Sequence, residues 1–263
     1  MKTTMYSAAF SAFAMAGIMC ASPASAQVDE QERYERGDEQ QIGTRFKRQR
    51  EATSVSESRR IQKDVAKCVV FRNKDLSRRL LANSDTVNID FYKIDDMDAD
   101  SMFDELDVGD CLGRAAKYGT LSIAMRIPFR TLRNLMVEEV YLMDQKDPLV
   151  IASDAPVQLG NRYFATGRHP AAIATAELSD CLAHHSPVQG DALLHSRPGS
   201  SGEEEAVESL YPALLACAGE GIADTEISTS MVRTVVADGL WARMQYGPTA
   251  PADAPEEEKD EDA

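Results

Sequence analysis

The sequence predicts a mainly α-helical protein built of two tandem, homologous, disulfide-stapled units with minor extended segments. Three observations carry that expectation. Apolar residues recur at three- and four-residue spacing through much of the chain. Two stretches, "CVVFRNKDLSRRLL" (Cys68–Leu81) and "CLAHHSPVQGDALL" (Cys181–Leu194), share a cysteine followed twelve and thirteen residues later by a Leu-Leu pair. Four cysteines, Cys68, Cys111, Cys181 and Cys217, follow an opening that reads as an export signal, where an even count favours disulfides.

That opening is "MKTTMYSAAFSAFAMAGIMCASPASAQ". Lys2 supplies a minimal positive start, an apolar run extends from Met5 to Ile18, and Ala24 and Ala26 occupy the small positions of a cleavage site. The pattern is that of a secretory signal peptide over 1–26, too short and wrongly flanked for a membrane span. Gly17 and Met19 are poor neighbours for lipidation of Cys20. The mature chain is expected to be periplasmic or secreted, with no further segment able to cross a membrane. A polar, flexible leader is expected over 27–55; its basic "RFKRQR" reads as a solvated run. A disordered acidic tail is expected over 247–263, where "APADAPEEEKDEDA" holds seven acids and one lysine. The net charge of −15 argues against nucleic acid as a partner, since phosphate contacts require basic patches.

Between leader and tail the chain repeats its landmarks in order. Each Cys…Leu-Leu stretch leads to a second cysteine, Cys111 or Cys217, with an apolar residue three positions before it (Val108, Leu214). Each half closes on a similar helix, "RNLMVEEVY" from Arg133 and "RTVVADGLW" from Arg233. The units span 56–144 and 169–246, joined by a connector over 145–168 that holds "DPLVIASDAP", a strand or a buried loop. Four helices are expected in each. Ser54 and Ser56 are candidate N-caps for the first, Pro170 and Pro187 suit first helical positions, and Ser200 stands at capping-box spacing from Glu203. Pro212 must kink or divide its helix. "TVNIDFY" and "TLSIAMRI" read as extended.

Spacing alone leaves three ways to pair four cysteines. The duplication favours Cys68–Cys111 and Cys181–Cys217, a staple within each unit. Loops of this length are worth on the order of 4 kcal/mol each in the chain-entropy model. Zinc would require close C-x2-C pairs, and none occurs. In "CLAHH", His184 and His185 form a candidate transition-metal site, set against imidazoles simply meeting the negative end of a helix. "DMDADSMFDELD" resembles the calcium loop of EF-hand proteins, with Asp96, Asp98, Asp100, Asp104 and Asp107 as oxygen ligands. It departs from that loop where Ser101 replaces the turn glycine and Asp107 the bidentate glutamate. The closing helices keep an arginine, an acid and an aromatic: Arg133, Glu138, Tyr141 and Arg233, Asp238, Trp241. Arginine and acid stand five apart, so they are not partners along one helix. The aromatics fall outside the shared apolar stripe and need a second surface, either inside the protein or on another molecule.

No nucleophile elbow, phosphate loop or HExxH motif is present, so no catalytic residue is assigned. The Cys…LL…Cys…R…E…Y units resemble those of uncharacterised exported proteins of alphaproteobacteria over most of 56–246, a resemblance that implies export and no particular activity. The expected function is that of a non-enzymatic envelope protein, an interaction or small-ligand-binding module without a cofactor, whose partner is an envelope protein or a small ligand. The alternative is a metal-binding protein.

Overall fold

Local capping chemistry explains where most of the helices begin. The structure, a computed structural model, describes residues 54–115, 127–152, 154–160, 162, 165–218 and 227–248. The signal peptide, almost all of the leader and most of the acidic tail lie outside the described residues, as does "TLSIAMRI" apart from Ile127. Ser54 accepts the Glu57 N–H and starts α1 (Val55–Arg72). Asn73 ends it and opens α2 (Lys74–Ala82), while its side chain donates to the Leu106 carbonyl at 3.0 Å. Asp98 caps α3 (Ala99–Glu105), and α4 (Val108–Ala115) follows at once. α5 (Phe129–Asp144) starts after Pro128. α6 (Pro170–His185) and α7 (Pro187–His195) each begin on a proline, which has no N–H to leave unpaired. α8 (Ser201–Ala218) starts where Ser200 accepts the Glu203 N–H and the Glu203 carboxylate accepts the Gly199 N–H. Ser228 caps α9 (Thr229–Tyr246).

Several details differ from the sequence reading. "TVNIDFY" is not a strand. Asp85 accepts the N–H groups of Val87 and Asn88, which curls the segment into a turn closed by a single antiparallel bridge, Ser84 to Ile89. A 3-10 turn at Phe91–Lys93 follows. Among the described residues the first half has five helices rather than four, because Asp107 adopts a left-handed φ of 53° and separates α3 from α4. Pro212 sits inside α8, which continues through it. The described residues of "DPLVIASDAP" form neither a strand nor a buried loop: Val150 is 86% exposed.

α5 and α9 stand at the centre. α9 packs on α6, α5 and α7, and α5 packs on α1, α2 and α7. One hydrophobic core runs through both halves, from Val65 and Leu80 to Leu240 and Trp241. The approach of α9 to α6 is set by Gly239, where an added Cβ would lie 2.1 Å from the Ser179 carbonyl oxygen. The cysteines pair Cys68 with Cys111 and Cys181 with Cys217, tying α1 to α4 and α6 to α8 with Cα separations of 5.6 and 5.7 Å. Among the described residues no helix is long and apolar enough to cross a membrane.

Candidate functional site

The six residues of the closing helices turn inward. Arg133 on α5 donates to Asp238 on α9 at 2.7 Å, and Arg233 on α9 donates to Glu138 on α5 at 2.7 and 2.8 Å. Each arginine finds its acid on the other helix, which is why the five-residue spacing within one helix makes no pair. Each arginine also holds the serine that follows a Leu-Leu pair. Arg133 binds the Ser84 hydroxyl and carbonyl at 3.0 and 3.5 Å; Arg233 binds those of Ser196 at 3.2 and 3.0 Å. Tyr141, fully buried, donates to Asp191 at 2.9 Å, and the nearly buried Trp241 meets the Tyr246 ring edge-on. All six are buried, and of them Glu138 and Arg233 reach the lining of an open cavity.

Two charge clusters grow from these pairs. In one, Arg233 also reaches Glu203 at 3.1 Å, and Arg59 grips the same carboxylate with two bonds of 2.6 and 2.9 Å. Lys63 contacts Glu138 and lies 3.1 Å from Glu139. This cluster borders an open cavity of 230 Å3. In the other, Arg162 bridges Asp238 and Asp180, and Asp180 accepts the Leu159 N–H at 3.0 Å. Its cavity is only 10 Å3, about the space of one water.

The environments shift the titrating groups in opposite directions. Burial raises the carboxyl of Glu203, but the Arg59 hydrogen bond, the Gly199 N–H and the charges of Arg59 and Arg233 outweigh it and hold the group below 4.5. For Asp180 burial wins over Arg162, and the carboxyl lies above its ordinary 3.8. Burial lowers Lys63, opposed by Glu139 and reinforced by Arg233 and Lys67. Burial and then the Asp191 bond push Tyr141 well above the usual phenol range.

The acidic loop does not converge on one point. Asp98 accepts the Ser101 N–H at 2.7 Å as a helix cap, Asp100 occupies the first turn of α3, and Asp107 pairs with Arg72 at 3.3 Å. His184 and His185 end α6 and stack edge to face. The His184 imidazole is shifted down by burial, by Arg243 and by His185. Among the described residues no three His, Cys, Asp or Glu side chains come together as a metal ion would need.

The largest opening among these cavities is a groove of 650 Å3 between α1, α5 and α7, which the sequence reading did not foresee. Its floor is apolar, with Val70, Leu142 and Met143, and Phe71 stands 71% exposed at its side. Lys67, Lys74 and Lys146 rim it, and Lys63 lies where the groove meets the open cavity. Lys74 sits 5.3 Å over the Phe71 ring. The three rim lysines have no carboxylate partner among the described residues, and the groove's one acid, Glu139, already faces Lys63. Only the spacing of Lys67 and Lys74, seven apart on α1 and α2, signals this in sequence, and charged residues at that spacing read as an ordinary solvated face.

Comparison with protein-family models, with curated proteins and with solved structures finds no match.

Proposed function

We propose that this chain is an exported, non-enzymatic binding module whose ligand is an anionic amphiphile held in the lysine-rimmed groove. The observation that carries the reading is three lysines without acid partners among the described residues around an apolar floor, on a chain whose net charge is −15. An acidic head meets the lysines, and an apolar body lies on Phe71, Leu142 and Met143. The groove has the size of small-ligand sites, which run to about 300–1,000 Å3. Export is supported by the leader sequence and by two disulfides. All four described cysteines are oxidised and the buried arginines and acids of the closing helices are engaged with one another, which favours binding over chemistry. We read the two halves as products of one duplicated unit, supported by the reciprocal arginine–acid pairs and by the matching serine contacts.

Titration calorimetry with laurate below its micellar concentration tests the ligand class. The native chain should bind laurate and not neutral dodecyl maltoside. The variant K67E/K74E/K146E should bind at least about tenfold more weakly, since rim charges set much of such an affinity. Absence of heat with the native chain, or equal binding by the variant, overturns the reading.

A further inference from the structure

Fifteen residues, 249–263, follow the last described residue, Pro248, and they carry seven acids against one lysine. Pro248 lines a pocket together with Gln145 and Asp147, the two neighbours of Lys146. The described fold therefore ends at a pocket whose wall includes both sequence neighbours of the groove's Lys146. Reach is ample. An extended chain covers about 3.3 Å per residue, so fifteen residues span at most about 50 Å. The α1 wall of the groove, Lys63 to Phe71, is about 12 Å long at 1.5 Å per residue.

We propose that the acidic segment seats in this groove and competes there with the ligand, an inference that rests on reading the groove as an anion site. The order of the segment suits the path. Its proline- and alanine-rich half, "TAPADAP", comes first and would cross Met143 and Leu142. Its acid run, Glu256 to Asp262, then arrives at Lys74 and Lys67. Charge complementarity selects the place: three lysines unpaired among the described residues stand together on a chain otherwise rich in acid. Each exposed contact is weak, but a tethered segment acts at an effective concentration on the order of millimolar, so weak contacts suffice. The segment is a competitor that any anionic ligand must displace, and salt weakens both.

Zero-length carbodiimide cross-linking of the full native chain tests the seat. Amides should join Glu256–Asp262 to Lys67, Lys74 or Lys146, and should disappear at about 0.5 M salt, where screening cuts exposed pairs. Coupling to these lysines no more often than to Lys93, which does not line the groove, overturns the seat. A second, full-length variant replaces the six acids of the run by amides (E256Q/E257Q/E258Q/D260N/E261Q/D262N). It should bind laurate at least about threefold more tightly than the native chain at low salt, with the gap closing as salt rises. Equal affinity of the two chains overturns the competition. If neither chain binds laurate, the amphiphile reading falls, and the cross-links still decide whether the segment occupies the groove.

Discussion

The two buried charge clusters use the same parts under different degrees of enclosure. Arg133 with Asp238 and Arg233 with Glu138 are matching pairs between α5 and α9. The first is closed around a space of 10 Å3, the second borders 230 Å3. The spare partners differ as well. Asp238 shares Arg162 with Asp180, so that one acid serves two guanidiniums deep in the fold. Glu138 shares Lys63, whose side chain is 19% exposed. Enclosure strengthens an ion pair and makes its loss expensive, because a stranded charge has no water to turn to. Openness makes the same pair replaceable.

The sharpest way to break this comparison is to remove one acid from each cluster. Asp238→Ala should cost about 3–5 kcal/mol, since it takes the carboxylate from the buried Arg133 in the tighter site, while Arg162 keeps Asp180. Glu138→Ala should cost less, about 1–3 kcal/mol, because Glu203 remains for Arg233, Glu139 for Lys63, and water can enter. Urea unfolding of both variants gives the two numbers. Equal costs would show that enclosure is irrelevant here.

A second test acts on the packing that closes the tighter cluster. Gly239→Ala places a methyl against the Ser179 backbone carbonyl, where the geometry leaves 2.1 Å. α6 and α9 must separate, at about 1–3 kcal/mol. The separation also loosens the surroundings of Asp180 and Asp238. A melting temperature unchanged from the native chain would contradict that close approach.

The smallest effect expected is in pH dependence, and there the clusters should differ in sign. Glu203 titrates below 4.5 in the fold, so its contribution is complete above that pH and is lost as the pH falls through its folded value. Asp180 titrates above 3.8 in the fold. The folded chain then binds more protons than the unfolded one between 3.8 and that raised value, so acidification across that window relieves a cost. Glu203→Gln should flatten the fall in stability between about pH 5.5 and 3.5, and Asp180→Asn should steepen it. Urea midpoints at the two pH values read the difference. The same direction in both variants would remove the contrast.

The helical class was legible because helices announce themselves by period and caps: Ser54, Pro170, Pro187 and Ser200 all stand at or next to a helix start. The disulfide pairing was legible from the repeated spacing of cysteine and leucine. The charge clusters were not. Arg133 and Asp238 are 105 residues apart, and nothing in a window of a dozen residues couples them. The one available hint was that both closing helices keep an arginine and an acid at equal spacing, an arrangement that makes no sense within a helix and good sense between two. The turn at Asp85 was misread because alternation in "TVNIDFY" resembles a strand, while the side-chain bonds that fold it depend on a single aspartate.

The reciprocal pairing has a consequence for how the chain can be divided. Each half has its own staple, so covalently it is self-sufficient. Electrostatically it is not: α1–α5 alone would present Arg133 without Asp238 and Glu138 without Arg233, and α6–α9 would present their complements. Tyr141 and Asp191 add a third dependency across the same divide. Neither half is a candidate for independent life as a small domain. Cut within 145–168, the pieces would be complementary fragments, each a template on which the other completes its folding.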